Sequence, residues 1–130
     1  NLDVCCIYPT AVFTKVSDIK KSYLSFKKKN FEYLFCATKF DYPFQRGFYL
    51  KKNNRIKMLN AKFYKSRSQD LKDLYHDVGQ FYWAKNKTWL KRKKIFGNKS
   101  GVYLIKNGKV VDIDTLSDWK NAEKIYKLYR

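Results

Sequence analysis

The stretch VCCIYPTAVFTKVSDIKKSYLSFKKKNFEYLFCATKF, residues 4–40, decides the fold class. Its apolar start at residues 4–7 is followed by Tyr-Pro-Thr, which predicts a buried strand that ends in a loop. Ser17 is a candidate N-cap for a helix, because apolar residues then recur at helical spacing as far as the lysines at 27–29. Residues 31–40 are aromatic and apolar enough for a second strand. A strand, a helix and a strand in this order form a right-handed crossover between parallel strands, so the stretch predicts an α/β fold.

Shorter segments complete the predicted secondary structure. Asn53 and Asn54 lie between two short extended segments and predict the turn of a β-hairpin. Thr115 and Asp118 have the spacing of a capping box at the start of the last helix. The further strand candidates are residues 48–50, 55–59, 81–84, 102–105 and 110–113, and the further helix candidates are residues 86–90 and 117–129.

Length and composition bound the class of protein. A chain of 130 residues supports one hydrophobic core but not two comfortable domains. A hydrophobic share of 45% and an aromatic share of 18% exclude a disordered segment. No apolar run approaches the roughly 18 residues of a membrane span, and the start has no signal-peptide progression. Cys5, Cys6 and Cys36 show no CxxC spacing, which predicts reduced thiols in a cytoplasmic protein.

The chain is strongly basic. Lys and Arg total 29 against 11 Asp and Glu, which gives a formal net charge of +18. Such a surplus favours anionic partners: nucleic acid, acidic membranes, nucleotides or acidic sugars. It is equally expected of a Lys- and Asn-rich composition imposed by a genome biased toward A and T. The charge alone therefore does not select a function.

Asp112-Ile113-Asp114 is the sharpest local feature. In an extended segment residues two apart share a face, so both carboxylates would point the same way while Ile113 turns to the core. Two carboxylates suit Mg²⁺, which takes one or two of them together with the phosphate oxygens of a substrate. The alternative is structural, because Asp114 could begin the following helix.

Six further motifs follow one another along the chain: Tyr-Pro-Thr-Ala-Val-Phe at 8–13, Tyr-Pro-Phe-Gln-Arg at 42–46, Arg-Ser-Gln-Asp-Leu at 67–71, Tyr-His-Asp-Val-Gly-Gln-Phe-Tyr-Trp at 75–83, Asp-Ile-Asp-Thr at 112–115 and Asp-Trp at 118–119. In this order they resemble the acylneuraminate cytidylyltransferase family. The series is most similar to the branch of that family that acts on pseudaminic acid. Tyr8 stands where the sialic acid enzymes of the family usually carry Gln.

The resemblance implies a fold and a place within it. Residues 1–130 would form the C-terminal part of a single domain, built on a mostly parallel, Rossmann-like nucleotidyltransferase sheet. Residues 44–63 would form a protruding hairpin through which the full-length enzyme forms a homodimer. The Gly-rich loop that holds CTP in this family has no counterpart here, so the fragment is expected to be inactive alone.

The resemblance also implies a reaction and its residues. CMP would pass from CTP to an acidic nine-carbon sugar, pseudaminate, and pyrophosphate would leave. Asp112 and Asp114 match the catalytic positions at which the family holds Mg²⁺. Arg46 and Arg67 are candidates for the sugar carboxylate, because a guanidinium binds a carboxylate through two parallel hydrogen bonds. The full set of substrate-binding candidates is Tyr8, Arg46, Arg67, His76, Gln80 and Tyr82.

Two other functions remain open from the sequence. The acidic sugar could be N-acetylneuraminate or legionaminate, and Tyr8 together with residues 76–83 favours pseudaminate. A small nucleic-acid-binding module would explain the charge and the interleaved aromatic residues, which can stack on bases. The aromatic residues recur at core periodicities and no RNA- or DNA-binding motif is present, so we expect no specific nucleic-acid partner and no membrane partner.

Overall fold

The structure is a computed structural model that describes residues 2–105 and 110–128. The chain divides into two compact units, Asn1–Thr38 with Asp77–Arg130, and Lys39–His76. Short 3₁₀ turns connect the elements of the second unit. The strands are β1 (Asp3–Ile7), β2 (Tyr33–Lys39), β3 (Phe48–Leu50), β4 (Ile56–Met58), β5 (Tyr75–Lys85) and β6 (Ser100–Leu104), and the helices are α1 (Val16–Lys29), α2 (Asn86–Leu90) and α3 (Leu116–Leu128).

The main sheet has four strands in the order β1-β5-β2-β6. β2 pairs with β6 in parallel, whereas β1 pairs with β5 antiparallel. The α/β class is confirmed, but the predicted mostly parallel sheet is only partly matched, because the sheet is mixed. The reason is that β5 lies between β1 and β2, so the two strands that flank α1 are not neighbours. An antiparallel neighbour needs no crossover helix, and the local strand-helix-strand pattern carries no information about it.

α1 covers one face of this sheet. Its side chains Ser22 and Phe26 are buried, at 0% and 2% exposure. Beneath it, Cys36 of β2 forms a buried cluster with Val78 and Phe81 of β5. The indole of Trp83 donates from Nε1 to Ser22 Oγ at 3.0 Å, which joins β5 to the middle of the helix. The side chains packed against the cluster are Cys5, Ile19, Trp83, Tyr103, Ile105 and Val110.

The opposite face is built on Phe35, Ala37 and Tyr82. Trp89 and Ile95, from α2 and the loop that follows it, pack against these three side chains. Successive residues of a strand point to opposite faces, so Tyr82 packs on this face and Trp83 under α1. Both aromatic rings of the pair are therefore part of the hydrophobic core.

Two details of the predicted elements are wrong. α1 begins at Val16 with Lys15 at the N-cap position, and no side chain caps it, so Ser17 is not the cap. The described residues 110–113 form no strand. Val110 packs its side chain against the α1-side cluster, which accounts for the apolar residue at this position without a strand.

The capping box and the hairpin are confirmed. Thr115 N–H donates to Asp118 Oδ2 at 2.8 Å, and Asp118 N–H donates to Thr115 Oγ1 at 3.2 Å, at the start of α3. β3 and β4 pair antiparallel. Asn53 and Asn54 both adopt left-handed backbone, at φ 58° and 57°, which the tight turn between such strands requires. The predicted end of the last helix at Tyr129 lies outside the described residues.

None of the helices in the described ranges is long and apolar enough to cross a membrane.

Candidate functional site

Tyr8, the residue after β1, lies against the middle of β5. Its N–H donates to the carbonyl oxygen of Gln80 at 2.9 Å, which extends the pairing of the two strands by one residue. Its ring centroid lies 5.3 Å from that of Tyr82, at an interplanar angle of 37°. Tyr82 is 4% exposed and Tyr8 is 45% exposed. Of these two phenols, only Tyr8 presents a substantial surface to a ligand.

Asp77 holds the buried phenol of this pair. The Tyr82 hydroxyl donates to Asp77 Oδ2 at 2.5 Å, and Gly79 N–H donates to Asp77 Oδ1 at 3.0 Å. Burial raises the pKa of Tyr82 well above its usual range, and the hydrogen bond to the Asp77 carboxylate raises it further. Tyr82 is therefore a neutral phenol whose proton is directed at Asp77.

Gln80 ties the loop after β1 to the same strand. Its side chain is 4% exposed, and its Oε1 accepts from Thr14 Oγ1 at 3.3 Å. Within the loop, Ala11 N–H donates to the Tyr8 carbonyl and Thr14 N–H donates to the Ala11 carbonyl, so successive turns shape the backbone. The loop that carries Tyr8 is thus fixed to β5 at both of its ends.

Asp112 and Asp114 lie in the segment that leads into α3. Both side chains are exposed, while Ile113 between them is half-buried, as the predicted alternation requires. Ile113 lines an apolar groove of 170 Å³ together with Val12, from the loop that carries Tyr8, and with side chains of α3. The aspartate segment and the Tyr8 loop therefore border the same groove.

The two aspartates fit a site for Mg²⁺. Neither carboxylate forms an ion pair within the ranges that the structure describes. No three His, Cys, Asp or Glu side chains in those ranges are close enough to bind a metal together. Two unpaired carboxylates are the donor set expected where a Mg²⁺ ion takes its other oxygens from water and a phosphate substrate. Asp114 N–H donates to Asp118 Oδ2 at 3.3 Å, so the cap of α3 fixes the backbone beside them.

The other three candidates belong to the unit Lys39–His76. Arg67 is engaged already, because its Nε and Nη2 donate to the two carboxylate oxygens of Asp70 at 2.8 Å and 3.4 Å. Arg46 is exposed at the end of a 3₁₀ turn. The His76 ring packs against Phe40 with centroids 4.6 Å apart. This unit has a cavity of 350 Å³, and none of the three candidates lines it.

The structure brings Tyr8, Gln80 and Tyr82 together and places Asp112 and Asp114 beside the same loop. Their roles stay predictions. Sequence reasoning missed Asp77 and Thr14, which hold Tyr82 and Gln80. A signal for Asp77 was present, since an aspartate two residues before a glycine commonly accepts that glycine's N–H in a local turn.

Similar proteins are known for nearly the whole chain. No protein-family model matches it. It is 44% identical over 125 residues to proteins named pseudaminic acid cytidylyltransferase from two serotypes of Campylobacter jejuni subsp. jejuni, a match that covers 96% of this chain and 54% of each relative. It is 30% identical over 97 residues to a Helicobacter pylori protein named "Pseudaminic acid cytidylyltransferase and UDP-2,4-diacetamido-2,4,6-trideoxy-beta-L-altropyranose hydrolase", covering 74% of this chain and 18% of that protein. The chain spans about half the length of the Campylobacter relatives.

Proposed function

We propose that this chain is the C-terminal part of a cytidylyltransferase that transfers CMP from CTP to pseudaminate and releases pyrophosphate. The observation that carries the proposal is the 44% identity over 96% of the chain to relatives named for that activity. Since the chain spans 54% of those relatives, we assign the CTP-binding loop to the part of the protein outside residues 1–130. The fragment alone is then expected to be inactive.

Asp112 and Asp114 would hold the Mg²⁺ ion. Their exposed, unpaired carboxylates and their anchored backbone support this role. When bound, the ion would offset the negative charge on the phosphoryl oxygens as the sugar hydroxyl attacks the α-phosphorus. The protein's own contribution is to keep the two carboxylates in place, through the cap of α3 on one side and the groove packing of Ile113 on the other.

Tyr8 is the side chain that we place against the sugar in the first unit. The exposure of Tyr8 supports this role, whereas the burial of Gln80 and Tyr82 supports a role behind Tyr8, as the wall that holds it. Arg46 and Arg67 would bind the sugar carboxylate. Arg67 would then share its guanidinium between the substrate and Asp70. His76, whose ring packs on Phe40, is the remaining substrate-binding candidate of this unit.

Two finer structural assignments belong to the same proposal. The mixed sheet would be part of a larger Rossmann-like nucleotidyltransferase sheet, and the exposed apolar side chains of β1, Val4 and Ile7, support further covering of that strand. Residues 44–63 would form the interface of a homodimer. Large apolar side chains on the β3–β4 hairpin are more than half exposed, which supports a covered surface in the assembly: Phe48, Tyr49, Leu50 and Ile56.

The test is pyrophosphate release by the full-length protein with CTP and Mg²⁺. Pseudaminate should be turned over faster than N-acetylneuraminate or legionaminate. Asp112→Asn and Asp114→Asn should each lower turnover by about 100-fold or more and leave the fold intact, because each removes one charged oxygen ligand. Glu32→Gln, which breaks a surface ion pair with Lys93, is the matched control and should keep the wild-type rate. Wild-type rate and metal dependence in either aspartate variant would contradict the metal assignment, and no transfer to any of the three sugars would contradict the function.

A further inference from the structure

The Asp77 carboxylate supports the surface on which the Tyr8 ring lies, at two separate points. One oxygen accepts the N–H of Gly79, and the other accepts the hydroxyl of Tyr82. Gly79 has left-handed backbone, at φ 57°, within β5. An aspartate that accepts the N–H two residues ahead stabilises such a local irregularity. Asp77 therefore fixes both the backbone and a side chain of the same strand.

Gly79 is the first point of support. A Cβ atom at this position would lie 3.8 Å from Cδ2 of Tyr8, an ordinary van der Waals contact, so the Tyr8 ring is next to the glycine with room for one carbon between them. The left-handed backbone is one that other residues adopt only with strain. The backbone conformation held by Asp77 is thus directly beside the Tyr8 ring.

Tyr82 is the second point of support. Its ring lies 5.3 Å from the Tyr8 ring and is itself backed by Phe35, at 6.1 Å between centroids. A phenol has one proton to donate, and Tyr82 gives it to Asp77. The Tyr82 oxygen therefore offers only acceptor lone pairs to its other neighbours, including the side chain of Tyr8.

From these contacts we propose that Asp77 is a positioning residue for the sugar site: it orients the exposed Tyr8 phenol through Gly79 and Tyr82, and it fixes the direction of the Tyr82 hydroxyl. The proposal rests on the proposed function, in which Tyr8 contacts the acidic sugar. In this proposal Asp77 acts through its hydrogen bonds to Tyr82 and Gly79 and does not itself bind the sugar.

A second aspartate–tyrosine pair in the same unit provides a matched control. The Tyr103 hydroxyl donates to Asp18 Oδ1 at 3.0 Å, and both residues are half-buried. This pair joins β6 to the first turn of α1 and is on the opposite face of the sheet. The same substitutions there remove the same kind of bond without touching Tyr8.

The first measurement is steady-state kinetics of the full-length protein. Asp77→Asn keeps the size and shape of the side chain, but its amide presents N–H to the Tyr82 oxygen, which frees the Tyr82 proton to turn elsewhere. Tyr82→Phe keeps Asp77 and removes the hydroxyl. Both should raise the KM for pseudaminate about tenfold, the effect of losing one oriented hydrogen-bonding group, and change the KM for CTP by less than about twofold. Asp18→Asn and Tyr103→Phe should leave both KM values within about twofold of wild type.

The second measurement does not depend on activity. 3-Fluorotyrosine is introduced at position 8, and its ¹⁹F resonance is recorded in the wild type and the four variants. Asp77→Asn and Tyr82→Phe should shift the resonance, and the Asp18 and Tyr103 variants should not. An unshifted resonance and an unchanged KM in the Asp77 and Tyr82 variants would overturn the proposal, as would equal effects in the control pair. If the wild type transferred no CMP, the proposed function would fail, while the ¹⁹F shifts would still decide whether Asp77 positions Tyr8.

Discussion

The two faces of the four-stranded sheet each carry a tyrosine whose hydroxyl donates to an aspartate, and the two bonds connect different things. Under α1, Tyr103 donates to Asp18, a partner 85 positions away in the sequence. On the opposite face Tyr82 donates to Asp77, five positions away in the same strand. The first bond fastens a helix to the sheet. The second shapes one strand at the point where an exposed ring lies on it.

The two hydrogen bonds differ in how exposed the neighbouring side chains are. Burial, and then the hydrogen bond to Asp18, raises the pKa of Tyr103 to about 12, and the ring packs within the α1-side cluster. Tyr82 is also a neutral, buried phenol, but its neighbour Tyr8 is 45% exposed. The chemistry of an aspartate–tyrosine pair therefore does not reveal a functional role. The two pairs differ in their neighbours, and under the proposed function we expect changes on the α1 side to affect stability and changes beside Tyr8 to affect substrate binding.

The largest expected effect is on the α1 side, at Gly101 of β6. A Cβ atom there would lie 2.3 Å from Cε2 of Phe31, far inside contact distance. Gly101→Ala should therefore push the Phe31 ring off the strand and lower the free energy of unfolding by about 2 to 3 kcal/mol. Urea unfolding followed by circular dichroism measures this, and the KM for pseudaminate of the remaining folded enzyme should be unchanged.

Gly97→Ala is the control for that substitution. Gly97 lies in the loop before β6, and its added Cβ would approach the Lys94 carbonyl oxygen to 3.3 Å. We expect a cost below about 1 kcal/mol, because a small shift of an exposed loop relieves the contact. Equal losses at Gly97 and Gly101 would contradict the tight packing of Phe31 on β6.

The next effect in size concerns the two indole N–H groups. Trp83 Nε1 donates to Ser22 Oγ under α1, whereas the buried Trp89 Nε1 on the opposite face has no acceptor among the described residues. Ser22→Ala should leave Trp83 in the same condition as Trp89 and lower the free energy of unfolding by about 1 to 2 kcal/mol. Ser17→Ala, at an exposed position of the same helix, should change it by less than about 0.5 kcal/mol. A Ser22 variant as stable as the Ser17 variant would show that the indole finds another partner.

Local pattern was enough to predict much of this fold. The spacing of Ile19, Tyr23 and Phe26 and the left-handed preference of Asn53 and Asn54 are short-range effects, and α1 and the hairpin formed where they were expected. The strand order, in contrast, cannot be predicted from local sequence patterns. The insertion of β5 between β1 and β2 depends on pairing between residues far apart in the sequence, which no local period encodes. Because the local pattern contains no information about this long-range pairing, it predicts a mostly parallel sheet, whereas the observed sheet is mixed.

The same distinction between local pattern and long-range structure applies to the candidate site. Tyr8, Gln80 and Tyr82 lie in two of the motifs that carried the resemblance, and the structure brings those motifs together. The sequence could not rank them, because burial decides which side chain a ligand can reach, and burial is a property of the assembled sheet. The sequence does not single out Asp77, because an aspartate beside a histidine has many ordinary structural explanations. Its two hydrogen bonds become visible only in three dimensions.

The smallest expected effect tests the edge of the α1 side by its pH dependence. Asp3 of β1 accepts from Lys27 Nζ at 3.0 Å and from the Tyr23 hydroxyl at 3.1 Å, so it ties the edge strand to the helix. The hydrogen bond from Lys27 holds the pKa of Asp3 below its usual range, and burial of the carboxyl opposes this only in part. A carboxyl whose pKa is lower in the folded than in the unfolded protein stabilises the fold above the unfolded-state pKa, about 3.9, and that contribution is lost as the pH falls through the folded-state value.

Asp3→Asn should therefore lower the urea midpoint at pH 7 by less than Ser22→Ala does, because the Lys27 side chain is 55% exposed and water screens the pair. The difference between wild type and Asp3→Asn should narrow as the pH is lowered from about 5 to about 2, since the wild-type carboxyl then takes up its proton. Ser17→Ala, which changes no titratable side chain, should differ from wild type by an amount that does not narrow. If the difference in urea midpoint between wild type and Asp3→Asn stayed constant across this range, Asp3 would contribute through packing and neutral hydrogen bonds alone. If that difference in urea midpoint widened on acidification, protonation of Asp3 would stabilise the fold. This result would contradict the role of Lys27.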